Sequence, residues 1–133
     1  VMRETRGSIG QSTVEFALVL PLVVLLVLFV VQGGLIVRDQ LLVSHAAREA
    51  ARAAAVTDED RGGAALRAAR AAGGLDPGRL SGTVSVVDGG ASVRASIAYR
   101  SVTDLAFIGA LVPDLDLDAT VVMRIESIGQ DRS

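Results

Sequence analysis

Gly10-Gln11-Ser12-Thr13-Val14-Glu15-Phe16 stands at the mouth of a long apolar run, and from Phe16 to Val37 the chain carries no charged residue. At about 1.5 Å per residue, a helix over that run is roughly 33 Å long, enough to cross the hydrocarbon core of a bilayer. Glu15 is a lone carboxylate where such a helix enters the core. Placing a carboxylate at the bilayer centre costs roughly 2.5–3.5 kcal/mol on insertion scales, and less near the interface. A residue with that cost calls for a partner.

A Gly, four residues, then Glu-Phe leading into an apolar helix resembles the class III signal peptide of type IV pilin-like proteins. The wording GQSTVEFALVLPLVVLLVLFVVQGG, followed by LLVSHAAREAARAAAV, is similar to the TadE family, small pseudopilins of the tight-adherence (Flp/Tad) pilus systems. The resemblance covers Arg6 to Val56, and ATVVMRIES (Ala119–Ser127) resembles the family's closing strand. Between Thr57 and Asp118 it is architectural only.

The resemblance implies that a membrane aspartic prepilin peptidase cuts between Gly10 and Gln11. Residues 1–10 are then a leader, 11–37 the membrane-spanning half of the helix, and 38–133 an extracytoplasmic head that includes the second half of the helix. The mature chain starts at Gln11, with Glu15 fifth and Phe16 sixth. Glu15 is expected to meet the new α-amino group of a neighbouring subunit, a pair that offsets the desolvation of both charges and fixes the axial register of packed helices. The expected partners are the membrane, the peptidase, other pilin-like subunits and Tad assembly proteins, with no cofactor. The place in the cell is a bacterial membrane, with the N-terminus cytoplasmic and the head outside or in an assembled pilus.

Composition agrees with an exported, anchored protein. The 133 residues allow one small globular unit beside a helix. Half of the residues are hydrophobic, yet Phe16, Phe29, Phe107 and Tyr99 are the whole aromatic set, so the core must be built from Val, Leu, Ile and Ala. The formal net charge of −2 argues against nucleic acid and against a polybasic membrane patch. There is no Cys, which excludes disulfides and thiolate metal sites. Arg3 and Arg6 precede the apolar run, a modest positive-inside signal countered in part by Glu4. A conventional secretory signal is the competing reading, but the run is too long for its apolar region, and the class III site lies before the run rather than after it.

The pattern predicts an α+β protein. One helix runs from Thr13 to about Val56, with Pro21 inside it as an expected kink and Gly33-Gly34 as a second weak point. In its second half, Arg48 and Arg52 share a face. Ala46, Ala47, Ala50, Ala53 and Ala54 form a smooth stripe opposite. A second helix is expected over Gly62 to Ala72, ended by Gly73-Gly74. Three antiparallel strands follow. The first holds Val84 and Val86. After an Asp88-Gly89-Gly90 turn, the second buries Val93, Ala95, Ile97 and Tyr99, and the third buries Ala119, Val121, Met123 and Ile125. The Ala stripe is the expected cover for the sheet. Asp104 to Leu111 reads as a short helix or loop, with Phe107 and Ile108 expected in the core.

Enzymatic chemistry finds no support. His45, the only His, has no nucleophile or metal-ligand spacing beside it. Asp114, Asp116 and Asp118 suggest calcium by spacing, but lack the glycine turn and closing Glu of an EF-hand; a strand with a wet face is the simpler reading. The glycine pairs lack the Lys of a phosphate loop. Arg94, Arg100 and Arg124 are expected on one solvated sheet face. No catalytic residue, metal or small-molecule substrate is expected. Besides a pilus subunit, two classes stay open: an anchored binding domain that never polymerises, and an anchored exported enzyme, which a pocket of converging polar groups would revive.

Overall fold

The computed structural model describes residues 7–102 and 113–125. Helix α1 runs without interruption from Gly7 to Ala55, Pro21 included. It starts earlier than the Thr13 read from the sequence and ends within a residue of Val56. Helix α2 spans Arg61–Ala71. Strands β1 (Leu80–Val87), β2 (Ser92–Ser101) and β3 (Leu115–Arg124) form an antiparallel meander in that order. The protein is α+β, a long helix carrying a short helix and a three-stranded sheet.

The link between the helices is closed by two side chains. Asp60, in left-handed backbone, caps α2 by accepting from the Gly63 amide at 3.0 Å. A side chain at position 63 would collide with that carboxylate, so the glycine belongs to the cap. Arg61 turns back onto the end of α1, donating to the Ala54 carbonyl at 3.2 Å and to Asp58 at 3.2 Å. It thereby satisfies one of the helix-end carbonyls that lack an intrahelical partner.

α1 lies over β2 and β3, and α2 packs beside α1 and over β1. The buried alanines of α1 are Ala46, Ala47, Ala50, Ala51, Ala54 and Ala55, while Ala53 is only half-buried. The covered arc is thus shifted from the predicted stripe, because α1 is covered on two sides, by the sheet and by α2. Ala65 and Ala69 supply the matching face of α2. Small side chains on both helices let the backbones approach closely. Among the described residues, only Val43, Val93 and Ile97 add bulk as fully buried large side chains.

On β2 the inward residues are Val93, Ala95, Ile97 and Tyr99, as the alternation predicts; Leu117, Ala119, Val121 and Met123 continue that face on β3. β1 starts at Leu80, earlier than the Val84 read from the sequence. Gly82 hides this beginning, since glycine weakens a strand signal. Its reason is packing: a Cβ there would stand 2.7 Å from Ile97 Cδ1. Gly82→Val should therefore destabilise the head by about 1–3 kcal/mol through overpacking. Ile97→Ala should cost about 2–5 kcal/mol through the cavity it leaves. Urea melts of each single variant and the double variant test this, with the double less destabilised than the sum of the singles. Strict additivity would mean that the two sites do not share that space.

The Asp88–Gly90 turn has positive φ at all three residues (55°, 65° and 102°), conformations that Asp tolerates and Gly takes freely. The outer face of the sheet is polar. Thr83, Ser96 and Thr120 form one cross-strand row, with the Ser96 and Thr120 hydroxyls 2.9 Å apart. Arg94, Arg100 and Arg124 lie exposed on this face, as the alternation predicts. Phe107 and Ile108, with all of 104–111, lie outside the described residues.

The head reaches into the apolar half of α1. Ile36 packs against the core, and Gln32, a lone amide in the run, is 5% exposed. A fragment beginning at Gln32 should therefore fold by itself, giving mixed helical and β circular dichroism and a cooperative melt. An unfolded spectrum would show that the head depends on neighbours in the membrane.

Candidate assembly surface

Between Val14 and Val37 the helix presents its large apolar side chains to the outside. Phe16 is 67% exposed, Leu18 75%, Phe29 65% and Val30 66%, and the most apolar stretch is not buried anywhere inside the protein. Here the sequence forms helix because Leu, Val and Phe offer the backbone no polar partner, and the intrahelical ladder satisfies it except at the Ala17 carbonyl, which Pro21 leaves without an amide. Such a surface is stable only in lipid or against other apolar helices. By length and composition this helix can cross a membrane.

At the N-terminal end of that surface, Gly10, Val14 and Leu18 follow one another at helical spacing and, with Glu15, line one shallow depression. Glu15 is exposed and has no ion pair among the described residues. Gly10 and Gln11 lie within α1. A side chain added at Gly10 would meet nothing within 4 Å, and the same holds at Gly33 and Gly34. The fold thus accounts for Gly63 and Gly82 but makes no demand for glycine at position 10. There glycine lowers helix stability by roughly 1 kcal/mol relative to Ala for no intramolecular return.

At the far end of the apolar run the sheet is fastened to α1 by polar contacts. Gln40 Nε2 donates to the Asp118 carbonyl at 3.1 Å, and the Ser101 hydroxyl donates to Asp39 at 2.8 Å. Arg38 approaches Asp39 at 3.6 Å, but its side chain is 60% exposed and the pair adds little. Sequence reasoning missed this bracket; a polar Arg-Asp-Gln cluster closing an apolar run was the available signal.

The remaining candidates disperse. Asp116 pairs with Arg100 at 3.3 Å across the sheet. Asp114, just before β3, and Asp116 and Asp118 within it stand at every second position of an extended chain, roughly 7 Å apart, too far for three carboxylates to converge on one ion. No group of metal-ligating side chains occurs among the described residues. His45 is exposed on α1. A hollow beside Arg79, Tyr99, Arg100 and Asp116 holds about 350 Å³, is open to solvent, and has its one carboxylate already engaged by Arg100.

Residues 10–52 match the sequence model of the family described as TadE-like protein. The match lies within the N-terminal helix. No curated protein and no solved structure matches the chain. The TadE-like region starts at Gly10 and ends within the alanine face of α1, so it takes in Glu15, the apolar surface and the part of the helix on which the sheet packs. α2 and the sheet lie outside it.

Proposed function

We propose that this protein is a minor pilin or pseudopilin of a Flp/Tad-type pilus, a structural subunit without enzymatic activity of its own. A prepilin peptidase cuts it after Gly10, and it assembles through its N-terminal helix to serve pilus biogenesis and adhesion. The observation that carries this reading is the uncovered apolar surface of a TadE-like helix, joined to a head whose core closes on the other half of the same helix. Residues 11–37 anchor the subunit and 38–133 form its extracytoplasmic head, with the N-terminus on the cytoplasmic side. Before assembly lipid covers the apolar surface; afterwards neighbouring pilin-like helices do.

Glycine at position 10 fits a peptidase cleft that accepts a bare, extended backbone. The bond to be cut lies in helix, so cleavage requires the first turns to open. Gly7 and Gly10 make that opening easier. After the cut, Glu15 pairs with the α-amino group of a neighbouring Gln11, and Phe16 packs beside that pair. Pro21, which offers no amide to the Ala17 carbonyl, lets the helix bend below the head.

Mass spectrometry of the protein from its own host tests the reading. A mature N-terminus at Gln11, in complexes that also hold other pilin-like subunits, is the expected result. An uncut, monomeric protein would instead make it an anchored binding domain that does not polymerise.

A further inference from the structure

One end of the head gathers beside the end of the apolar run. α2 brings the chain back along α1, so that Gly74 stands against Leu42, where an added Cβ would lie 3.0 Å from the leucine methyls. β1 then starts at Leu80. β2 returns to the same end, where the Ser101 hydroxyl donates to Asp39, and β3 sets out from Leu115 opposite Ser101. The core itself reaches Ile36, one residue before the charge-free run ends at Val37. The Asp88–Gly90 turn lies at the opposite end of the strands.

These levels fix where that end sits in a bilayer. The hydrocarbon core is about 30 Å thick and takes up about 20 helical residues at about 1.5 Å each. Counted from Phe16, next to the Glu15 carboxylate, it is used up at about Leu35. Ile36, the next residue, already packs against the core of the head, and α1 continues through this point without a break. No bare helix and no linker therefore holds the head off the surface. The headgroup layer adds roughly 5–8 Å on each side, and residues 36–42 rise through about 9 Å. A tilted span places more of α1 in hydrocarbon and draws the head further in.

We propose that this end of the head lies within the headgroup layer of the leaflet it faces and docks on phospholipid headgroups. Its exposed side chains fit that partner. Arg79 meets Asp76 and Arg100 meets Asp116 through Nε, at 3.4 Å and 3.3 Å, and all four side chains are exposed. With Arg38, exposed where the head begins, they offer charges of both signs to one layer. Phosphates and ammonium groups answer both signs, whereas an apolar partner would strip water from all of them. The open hollow of about 350 Å³ beside Arg79 and Arg100 gives a headgroup room. The contact holds the head at one height on the membrane, so a subunit leaving the bilayer gives up headgroups as well as the lipid along its span. This inference rests on the membrane-anchored reading of α1, but on neither cleavage nor the identity of the pilus.

The absence of Cys allows single labels on the full chain, reconstituted in vesicles of phosphatidylethanolamine and phosphatidylglycerol. Val24→Cys marks the span and Gly78→Cys the end of the head beside it. Ser85→Cys marks an exposed position of β1, roughly 17 Å along the strand from Leu80. Each carries an environment-sensitive fluorophore, read against spin labels on the lipid headgroup or in the acyl chain. The label at 24 should lose fluorescence to the acyl-chain quencher and the label at 78 to the headgroup quencher, while the label at 85 keeps its signal. Arg79→Cys gives the same reading without a new side chain against Asp76. Quenching at 24 with none at 78 or 79 would overturn the docking and leave the anchor standing. Equal quenching at 78 and 85 would overturn it too, since the head would then meet the membrane without a preferred end. A label at 24 that escapes the acyl-chain quencher would remove the anchored reading itself, and this inference with it.

Discussion

Gly10→Leu should abolish removal of the leader while leaving the fold unchanged. The two halves of that expectation come from different observations. Among the described residues nothing stands within 4 Å of a Cβ at position 10, so a larger side chain meets no obstacle there. Leucine is also the better helix former by close to 1 kcal/mol, so the first turns of α1 become harder to open. The branched side chain would moreover clash in a cleft built for a bare backbone. Intact mass of the membrane protein from its native host should show the full leader retained in all of the Gly10→Leu chain, against Gln11 as the first residue of the wild type. A Gln11 terminus in the variant would refute processing at this glycine. A fragment beginning at Gln32 lacks the site altogether and serves as the folding control.

Glu15→Ala should separate processing from assembly. Its carboxylate is exposed on the helix, unpaired among the described residues, at the edge of an apolar surface. Replacing it by Ala makes the span more apolar, so insertion should be unharmed or improved. Cleavage after Gly10 should persist at least in part, because the glycine is the peptidase's main demand. Incorporation into pilus complexes should fall sharply. The neighbour's α-amino group would then be left without its counter-charge in a low-dielectric setting, and breaking a buried pair in this way costs about 3–5 kcal/mol. Membrane level, N-terminal mass and co-purification with other pilin-like subunits, measured in one strain, decide the matter. Normal co-purification beside normal processing would reduce Glu15 to a residue that merely ends the span, and the unpolymerised anchor would be the better reading. Glu15→Gln refines the test, since it keeps the shape and a hydrogen-bonding oxygen but not the charge.

Arg48 and Arg52 show how the two levels of description divide. Their common face follows from four-residue spacing and is legible in the sequence. That neither forms an ion pair among the described residues is not, because the acidic residues of the head are distributed by the fold: Asp58 and Asp60 are drawn to Arg61 and Arg67, Asp76 to Arg79, and Asp116 to Arg100.

The sequence by itself determined the elements whose signal is local. A run without charge over Phe16 to Val37 can only be a helix in an apolar setting, because backbone polar groups there have no other partner. Strict alternation in β2 fixes which of its residues are buried, since a strand's side chains switch faces at every step. The Gly10–Glu15 motif and the TadE-like helix are likewise linear features. Tertiary structure decided what depends on shape and on two surfaces meeting. Gly82 belongs to a strand because Ile97 occupies the space above it, which no propensity encodes. The buried arc of α1 takes in Ala51 and Ala55 because α2 and the sheet cover the helix from two directions. Gln32, polar and set among valines and glycines, is only 5% exposed, which no local pattern encodes. Burial is a property of the neighbours a residue acquires on folding, and a run of alanines looks the same from every side until those neighbours arrive.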